Sequence, residues 1–354
     1  MSDQSNKLIK VTTASKAPLD AQERSRRTAL GQVANQYAGA AAFDDYTSRK
    51  AHNTLRAQAA DLDTFAEYLV AIGDASGHSA IELQSSPQAW HGVTWGIVEG
   101  YVRWLLQGGY SISSINRKLS TTKVYAKLAG KAGVIEGEEL ALIRNVSGYS
   151  LKEGKRVNER RAIQRLGDKK AENVTITAAQ ARMLKQQPDT PQGRRDAVLI
   201  TLLLDHGLRV GELALVQSKD VDLQRGLLTF FRPKVEKRQT HRLTEDALRA
   251  VQRWINFGHA PSDGPLLRAS RKGGSLGKPG MSERAITARV CTLGEEIGLF
   301  GLSAHDCRHY WATMAARSGT DPFALRDAGG WNSLSMPSRY VEEQDIANDG
   351  VVLD

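Results

Sequence analysis

The chain has 354 residues, which is enough for two domains that each bury a core of their own. Its formal net charge of +9 favours a polyanionic partner such as nucleic acid. Two cysteines without metal-ligand spacing argue against structural zinc and indicate a reducing compartment. Because no apolar run is long enough to span a membrane, we expect a cytoplasmic protein with no membrane contact.

The N-terminal half of the chain predicts a tail followed by a helical domain. Residues 1–46 are polar with little periodicity, which predicts a flexible N-terminal tail with a short helix around residues 21–37. Residues 47–150 are helical in pattern: Leu55, Leu62, Phe65, Leu69 and Ile72 form one apolar stripe. Further helices are expected at residues 94–107, where Trp95 should be buried, at 111–128 and at 136–149.

Basic residues are concentrated on the predicted helix of residues 111–128 and in the segment of residues 152–170. Residues 151–173 are interpreted as a basic interdomain linker, because residues 152–170 contain eight Lys or Arg against three acidic residues. A solvated surface explains any one of these side chains, whereas their concentration favours contact with DNA phosphates. The expected DNA-binding residues are Arg117, Lys118, Lys123, Lys127, Lys155, Arg156, Arg160 and Arg161.

The second domain, residues 174–354, is predicted to be mainly helical with one small sheet. A capping box at Thr177 begins its first helix, and Thr190-Pro191 begins a longer apolar helix that ends at Gly207. Strand-like runs at residues 227–231 and 240–243 flank a basic turn and predict an antiparallel sheet. Helices follow at residues 244–257, 282–297, 304–318 and 322–328, with N-caps expected at Thr244, Ser282, Ser303 and Asp321.

Two clusters of this domain contain groups suited to attack on a phosphodiester. His305 and Arg308 share one face of a helix because they are three residues apart. A guanidinium group binds two phosphate oxygens, and a histidine can move a proton. Capping, ion pairing or core packing would explain each residue singly, but not the joint spacing of the set. That set is Arg209, Glu212, His305, Arg308, Trp331 and an exposed Tyr340, with Lys234 or Lys237 from the basic turn.

Together these motifs resemble the tyrosine recombinases, the phage integrase family, from about residue 48 to the end of the chain. The resemblance implies a two-domain, C-shaped DNA clamp, made of an all-α core-binding domain and an α+β catalytic domain. It also implies strand cleavage and rejoining through a 3′-phosphotyrosyl intermediate and a Holliday junction. Neither a metal nor ATP nor any other cofactor is expected, and the partners are double-stranded DNA sites and a tetramer assembled on two duplexes.

The resemblance assigns a role to most residues of the set. Arg209 and Arg308 correspond to the clamp on the scissile phosphate, and Glu212 supports Arg209. His305 corresponds to the proton-handling residue. Tyr340 corresponds to the nucleophile that joins the 3′-phosphate and frees a 5′-hydroxyl.

Two positions depart from the commoner pattern of the family. Trp331 occupies a position that is often His in the family, and a Cre-like subset of the family also has Trp there. Its indole can donate a hydrogen bond but cannot shuttle a proton. Lys234 best matches the general acid of the family, and Lys237 is close enough to compete. Pro233 replaces the more common Gly of this turn.

Two other functions remain open: a type IB topoisomerase-like enzyme and a non-catalytic DNA-binding protein of the same fold. The end of the chain is informative for assembly, because residues 351–353 are apolar after a polar stretch. They either fold back onto their own domain or dock on a neighbouring protomer, and the resemblance favours the second.

Overall fold

A computed structural model of the chain describes residues 20–162, 173–271 and 275–341. The chain divides into two compact units, Met1–Lys169 and Lys170–Asp354. Helices make up most of both units, and the described strands all lie in the second. The prediction of a mainly helical protein with small antiparallel sheets is confirmed.

The first unit is a set of helices around one core. They are α1 Ala21–Ala40, α2 Ala42–Ser48, α3 His52–Ala71, α4 Ala80–Ser85, α5 Trp95–Gln107, α6 Ile112–Lys131, α7 Gly137–Asn145 and α8 Leu151–Arg160. Thr94 and Ser111 cap α5 and α6 through their side chains. Leu62 and Phe65 of α3 are fully buried, as the apolar stripe predicts.

The short helix expected around residues 21–37 is present as α1, but three other expectations for this unit are wrong. The predicted flexible tail also contains α2, and Phe43 of α2 is a core residue whose ring lies 6.0 Å from that of Tyr125. A seven-residue helix is too short to show periodicity, so the tertiary contact decides its place. Trp95 is 46% exposed at the start of α5, and Ile72 follows the end of α3 and is 50% exposed.

Helix α8 occupies the first part of the predicted linker. Ser150 and Glu153 form a capping box, in which the Ser150 side chain accepts from the Glu153 N–H and the Glu153 carboxylate accepts from the Ser150 N–H. Gly154 packs on α6, where an added Cβ would lie 3.0 Å from the Ile112 side chain. Residues 163–172, the rest of the predicted linker, lie outside the described residues.

The second unit combines helices with two small sheets. Its helices are α9 Ala178–Lys185, α10 Pro191–His206, α11 Val210–Leu215, α12 Glu245–Asn256, α13 Glu283–Glu295, α14 Ala304–Arg317, α15 Pro322–Gly329 and α16 Ser335–Val341. Its strands are β1 Val221–Asp222, β2 Leu227–Arg232, β3 Lys237–Arg242, β4 Arg268–Ser270 and β5 Leu276–Gly280. Strands β1, β2 and β3 pair antiparallel in that order, with Phe230 opposite Gln239, and β4 pairs antiparallel with β5.

The helix boundaries of this unit follow the predicted capping residues. Each of the side chains of Thr244, Ser282, Ser303 and Asp321 accepts a hydrogen bond from the backbone N–H three residues ahead. Helix α10 is the centre of the core, and its Leu199, Leu202 and Leu203 are fully buried. The hairpin of β4 and β5 was not predicted, because its short strands lack an apolar alternation. No described helix combines the length and apolar character needed to cross a membrane.

Candidate active site

The Arg209 segment begins where α10 ends. Gly207 adopts a left-handed conformation (φ +59°), and an added Cβ would collide with the Trp311 ring, so only glycine fits. Arg209 follows as the residue preceding α11. One oxygen of the buried Glu212 carboxylate accepts from the Arg209 N–H at 2.9 Å, and the other accepts from its guanidinium at 2.6 Å. The predicted support of Arg209 by Glu212 is present in the structure.

Arg308 is the fifth residue of α14 and is 3% exposed. Its Nη1 donates to the Gly207 carbonyl, and its Nη2 donates to the Gly329 carbonyl at 2.5 Å. The guanidinium carbon is 4.7 Å from the centre of the Trp331 ring and 5.8 Å from that of Trp311. Two carbonyls and two aromatic faces therefore hold Arg308 in one orientation.

A third guanidinium group, that of Arg232 at the end of β2, joins this cluster and was missed from the sequence. Arg232 is fully buried and donates to Glu212 Oε2 at 2.8 Å, to the Ala328 carbonyl at 2.6 Å and to Gln239 Oε1 at 2.5 Å. Gly330 has φ +59°, and a Cβ there would collide with the Arg232 side chain. Arg232 thus connects the strand that precedes the basic turn to Glu212 and to the end of α15.

One signal in the sequence could have located Arg232. Leu228 and Phe230 are the buried residues of β2, and Arg232 continues their alternation onto the same face. Arg232 was not among the predicted site residues. Its burial is possible because Glu212, which lies 20 positions earlier in the chain, supplies the opposite charge.

The charges of this cluster do not balance. The Glu212 carboxylate bonds both Arg209 and Arg232, and the electrostatic surroundings of Arg308 include those same two guanidinium groups. Burial and, next, the charge of Arg209 lower the pKa of Arg308 to about 9, so it stays protonated at neutral pH. Three cations therefore face one anion among the described groups, and a bound phosphate would relieve their repulsion.

His305 lies beside this cluster at the start of α14 and is exposed. Its Nε2 is 3.1 Å from Nε2 of His309, one turn further along the helix. Partial desolvation, then His309 and Arg308, lower the pKa of His305 below its ordinary value. The imidazole is therefore neutral at neutral pH and can accept a proton.

Tyr340 is buried, contrary to the exposed tyrosine that was expected. Tyr340 lies on α16, is 4% exposed and packs with Ala312 and Leu325. The Tyr340 ring stacks on Trp331 at 5.8 Å between centroids and lies 5.4 Å from the His309 ring. Trp331 thus connects Tyr340 to Arg308, as the predicted packing of this indole against the tyrosine helix requires.

The two candidate general acids lie in and beside the turn that joins β2 to β3. Lys234 is in the single 3-10 turn Pro233–Val235, Lys237 is the first residue of β3, and both are exposed. Glu236 takes the left-handed conformation (φ 49°) that glycine adopts most easily. Both lysines are near in sequence to the buried Arg232, and the choice between them stays a prediction.

One of the residues expected to bind DNA belongs instead to the core of the first unit. Lys118 is 6% exposed, and its Nζ donates to Thr64 Oγ1 at 2.6 Å and lies 3.5 Å from Asp61 Oδ1. Arg117 is half exposed and pairs with the same carboxylate at 2.5 Å. Lys118 was expected on a helix face that contacts DNA phosphates, and its burial beside Asp61 corrects that placement, because a buried carboxylate needs a nearby cation.

The other cations of this set fall into two groups. Lys123 donates to the carbonyls of Arg144 and Val146 at the C-terminal end of α7, and Arg161 donates to the Tyr110 carbonyl at 2.9 Å, so both also hold the first unit together. The remaining side chains are exposed, and phosphate contact by them stays a prediction; they are Lys127, Lys155, Arg156 and Arg160.

The second unit thus gathers three arginines, a histidine and a tyrosine in one positively charged cluster, a set of groups suited to attack on a phosphodiester. Residues 174–346 match the phage integrase family. These residues, which make up most of the second unit, therefore belong to this family, the tyrosine recombinases.

Two relatives show how far the similarity extends. Tyrosine recombinase XerD of Neisseria meningitidis serogroup B is 30% identical over 183 residues, which are 50% of this chain and 61% of the relative. Tyrosine recombinase XerC of Xanthomonas axonopodis pv. citri is 24% identical over 234 residues, 66% of this chain and 68% of the relative. The chain therefore spans about three fifths to two thirds of the length of these relatives.

Solved structures share the fold at low sequence identity. The Tn1549 transposon integrase in complex with transposon right end DNA has a TM-score of 0.57 at 16% identity, covering 85% of this chain and 94% of that one. A lambda integrase dimer bound to a COC′ core site has a TM-score of 0.57 at 15% identity, covering 88% and 95%.

Proposed function

We propose that this protein is a site-specific DNA recombinase or integrase that cleaves and rejoins DNA strands through a 3′-phosphotyrosyl bond to Tyr340. The observation that carries the proposal is a cluster of three guanidinium groups with one carboxylate: Arg209 and Arg232 bond Glu212, and Arg308 lies within their electrostatic influence. His305 and the Trp331–Tyr340 stack lie beside this cluster. Such an excess of fixed positive charge is suited to a phosphodiester.

The chemistry follows from these positions. Arg209 and Arg308 bind the non-bridging oxygens of the scissile phosphate and stabilise the charge that grows on them. The Tyr340 hydroxyl gives up its proton and attacks phosphorus, which requires that DNA binding uncover this buried residue. A lysine of the β2–β3 turn protonates the departing 5′-oxygen. The phosphotyrosyl bond keeps the energy of the broken bond, so rejoining needs no ATP.

Recombination requires more than one subunit. We propose that a tetramer holds two double-stranded DNA sites and that strand exchange passes through a Holliday junction. Three segments would contact DNA phosphates: a helical core-binding domain of residues 47–150, a basic linker of residues 151–173 and a catalytic domain of residues 174–354. We propose that the protein acts in the cytoplasm. Solved integrases with this fold are described bound to DNA, which supports the partner.

Covalent trapping tests the proposal. Duplexes that the protein binds are selected from a randomised library by gel shift, and a nick is placed near the centre of the selected site so that the short cleaved fragment diffuses away. We expect a denaturant-resistant protein–DNA adduct. Without an adduct, the chain would be a non-catalytic DNA-binding protein. An adduct together with relaxation of supercoiled DNA by a monomer, and no pairing of two sites, would indicate a type IB topoisomerase-like enzyme.

The general acid can be identified with a modified substrate. We expect Lys234→Ala to cleave ordinary DNA very slowly and to be rescued by a 5′-phosphorothiolate leaving group, which departs without a proton. Lys237→Ala is the matched control and should lose DNA affinity more than cleavage rate. The measurement is single-turnover adduct formation on both substrates. Rescue of Lys237→Ala instead would assign the general acid to Lys237.

The C-terminal tail is proposed to join neighbouring protomers. Residues 342–354 lie outside the described residues, and the support is the apolar run of residues 351–353. A head-to-tail contact whose rotation closes gives a ring of subunits. Deletion of residues 347–354 should leave binding to one site intact in a gel shift and weaken the two-duplex complex in sedimentation.

A full-length control separates the effect of a shorter chain from the effect of losing the apolar side chains. Replacing Val351, Val352 and Leu353 by Ser keeps the chain length and should weaken two-duplex assembly to a similar extent. Tetramers that form as readily with the truncated protein as with the full chain would mean that the tail packs on its own domain.

A further inference from the structure

His309 is a second imidazole in the candidate active site, and nothing in the proposed mechanism uses it yet. It is half-buried on α14, and its ring stands perpendicular to that of His305, with centroids 4.5 Å apart. The two Nε2 atoms are 3.1 Å apart. For a hydrogen bond at this contact one Nε2 must carry a proton and the other must be bare, so the two rings share one proton there.

The same imidazole also packs against the nucleophile. The His309 ring is 5.4 Å from the Tyr340 ring, and its Nε2 is 3.3 Å from the side-chain amide of Asn173. Of the two described rings that pack against Tyr340, those of Trp331 and His309, only the imidazole can accept a proton. His309 therefore contacts both the proton-handling His305 and the tyrosine that must lose a proton.

The described carboxylates near this pair are already engaged. Asp306 accepts from the Val174 N–H at 3.0 Å and from the Ser303 N–H at 2.8 Å. Glu212 bonds two arginines. The charged and titratable groups around His305 are Arg308 and Asp306 on its own helix, and Arg209 before α11. Arginines cannot accept a proton, which leaves the imidazoles for this task.

We propose that His305 and His309 act as one proton-accepting pair for Tyr340, with His309 as the residue that holds the proton away from the phosphate. This inference rests on the proposed function. During cleavage the phenolic O–H bond breaks, its proton enters the pair, the tyrosine oxygen bonds phosphorus, and the 5′-oxygen leaves with a proton from the turn lysine. Rejoining reverses each transfer. Trp331 cannot move a proton, and the pair supplies that capacity beside Tyr340.

Two variants of His309 distinguish proton transfer from packing. His309→Gln keeps polar atoms and much of the volume but cannot take up a proton, and His309→Ala opens a space that free imidazole can enter. We expect both to form the covalent adduct about a hundredfold more slowly than the natural protein while binding a single site equally well. Added imidazole should accelerate His309→Ala and leave Tyr340→Phe inactive. His259→Ala, which removes an imidazole that bonds Arg194 elsewhere in the second unit, is the control and should stay near the natural rate.

The outcomes separate this inference from the function on which it rests. An adduct rate for His309→Gln within about twofold of the natural protein would overturn the proton role. A slow His309→Ala that imidazole does not accelerate would overturn it as well, because lost packing would then be the cause. A natural protein that forms no adduct with any selected duplex would refute the proposed function, and the proton pair with it.

Discussion

Tyr340→Phe is expected to bind its DNA site normally and to form no covalent adduct. The substitution removes only the phenolic oxygen, so the ring keeps its stacking on Trp331 and its contact with His309. Without that oxygen nothing can form the phosphotyrosyl bond, and the expected loss is complete rather than graded. The measurement is adduct formation on a nicked duplex in denaturing gels, beside a gel shift on the intact site.

Tyr310→Phe is the matched control for this experiment. Tyr310 lies on α14 and is partly buried against the core of the same unit, so the two variants lose the same atom from different places. We expect Tyr310→Phe to form the adduct at close to the natural rate. An adduct that survives in Tyr340→Phe would place the nucleophile at another residue.

Arg308→Lys should reduce the cleavage rate by about a hundredfold or more, with little change in DNA affinity. The substitution keeps the positive charge but loses the planar fork. Arg308 now donates to the carbonyls of Gly207 and Gly329 and lies over the Trp331 ring, which leaves its orientation fixed for a phosphate. A single ammonium group cannot keep both carbonyl contacts and grip two phosphate oxygens as well. Single-turnover adduct formation measures the rate, and a gel shift measures the affinity.

Arg317→Lys provides the comparison, because Arg317 is an exposed arginine in the last turn of the same helix. It should cleave at the natural rate. If Arg308→Lys also cleaves at near the natural rate, Arg308 contributes only charge and the clamp must be assigned elsewhere.

Much of the second unit could be predicted because its signals are local. Thr244, Ser282 and Ser303 precede their helices and bond the backbone three residues ahead, a contact that depends on no distant part of the chain. Gly207 ends α10 in the left-handed conformation that glycine favours. The hairpin of β2 and β3 follows from two strand-like runs on either side of a turn.

The errors have a common origin in contacts between distant residues. Lys118 has the sequence context of a surface lysine, and only the buried Asp61, 57 positions earlier in the numbering, places it in the core. Phe43 belongs to a segment without periodicity and is ordered by its contact with Tyr125. Tyr340 was expected to be exposed, and the helix contacts of α14 and α15 bury it.

The family, the helix boundaries and most residues of the arginine cluster could be read from the chain, because caps, glycine turns and motif spacing act over a few residues. That Arg232 completes the arginine cluster, and that His309 contacts both His305 and Tyr340, became visible only in the folded protein. Burial of a charge and sharing of a proton both depend on the partner that folding brings near. Glu212 makes the burial of Arg232 possible, and α16 brings Tyr340 to His309.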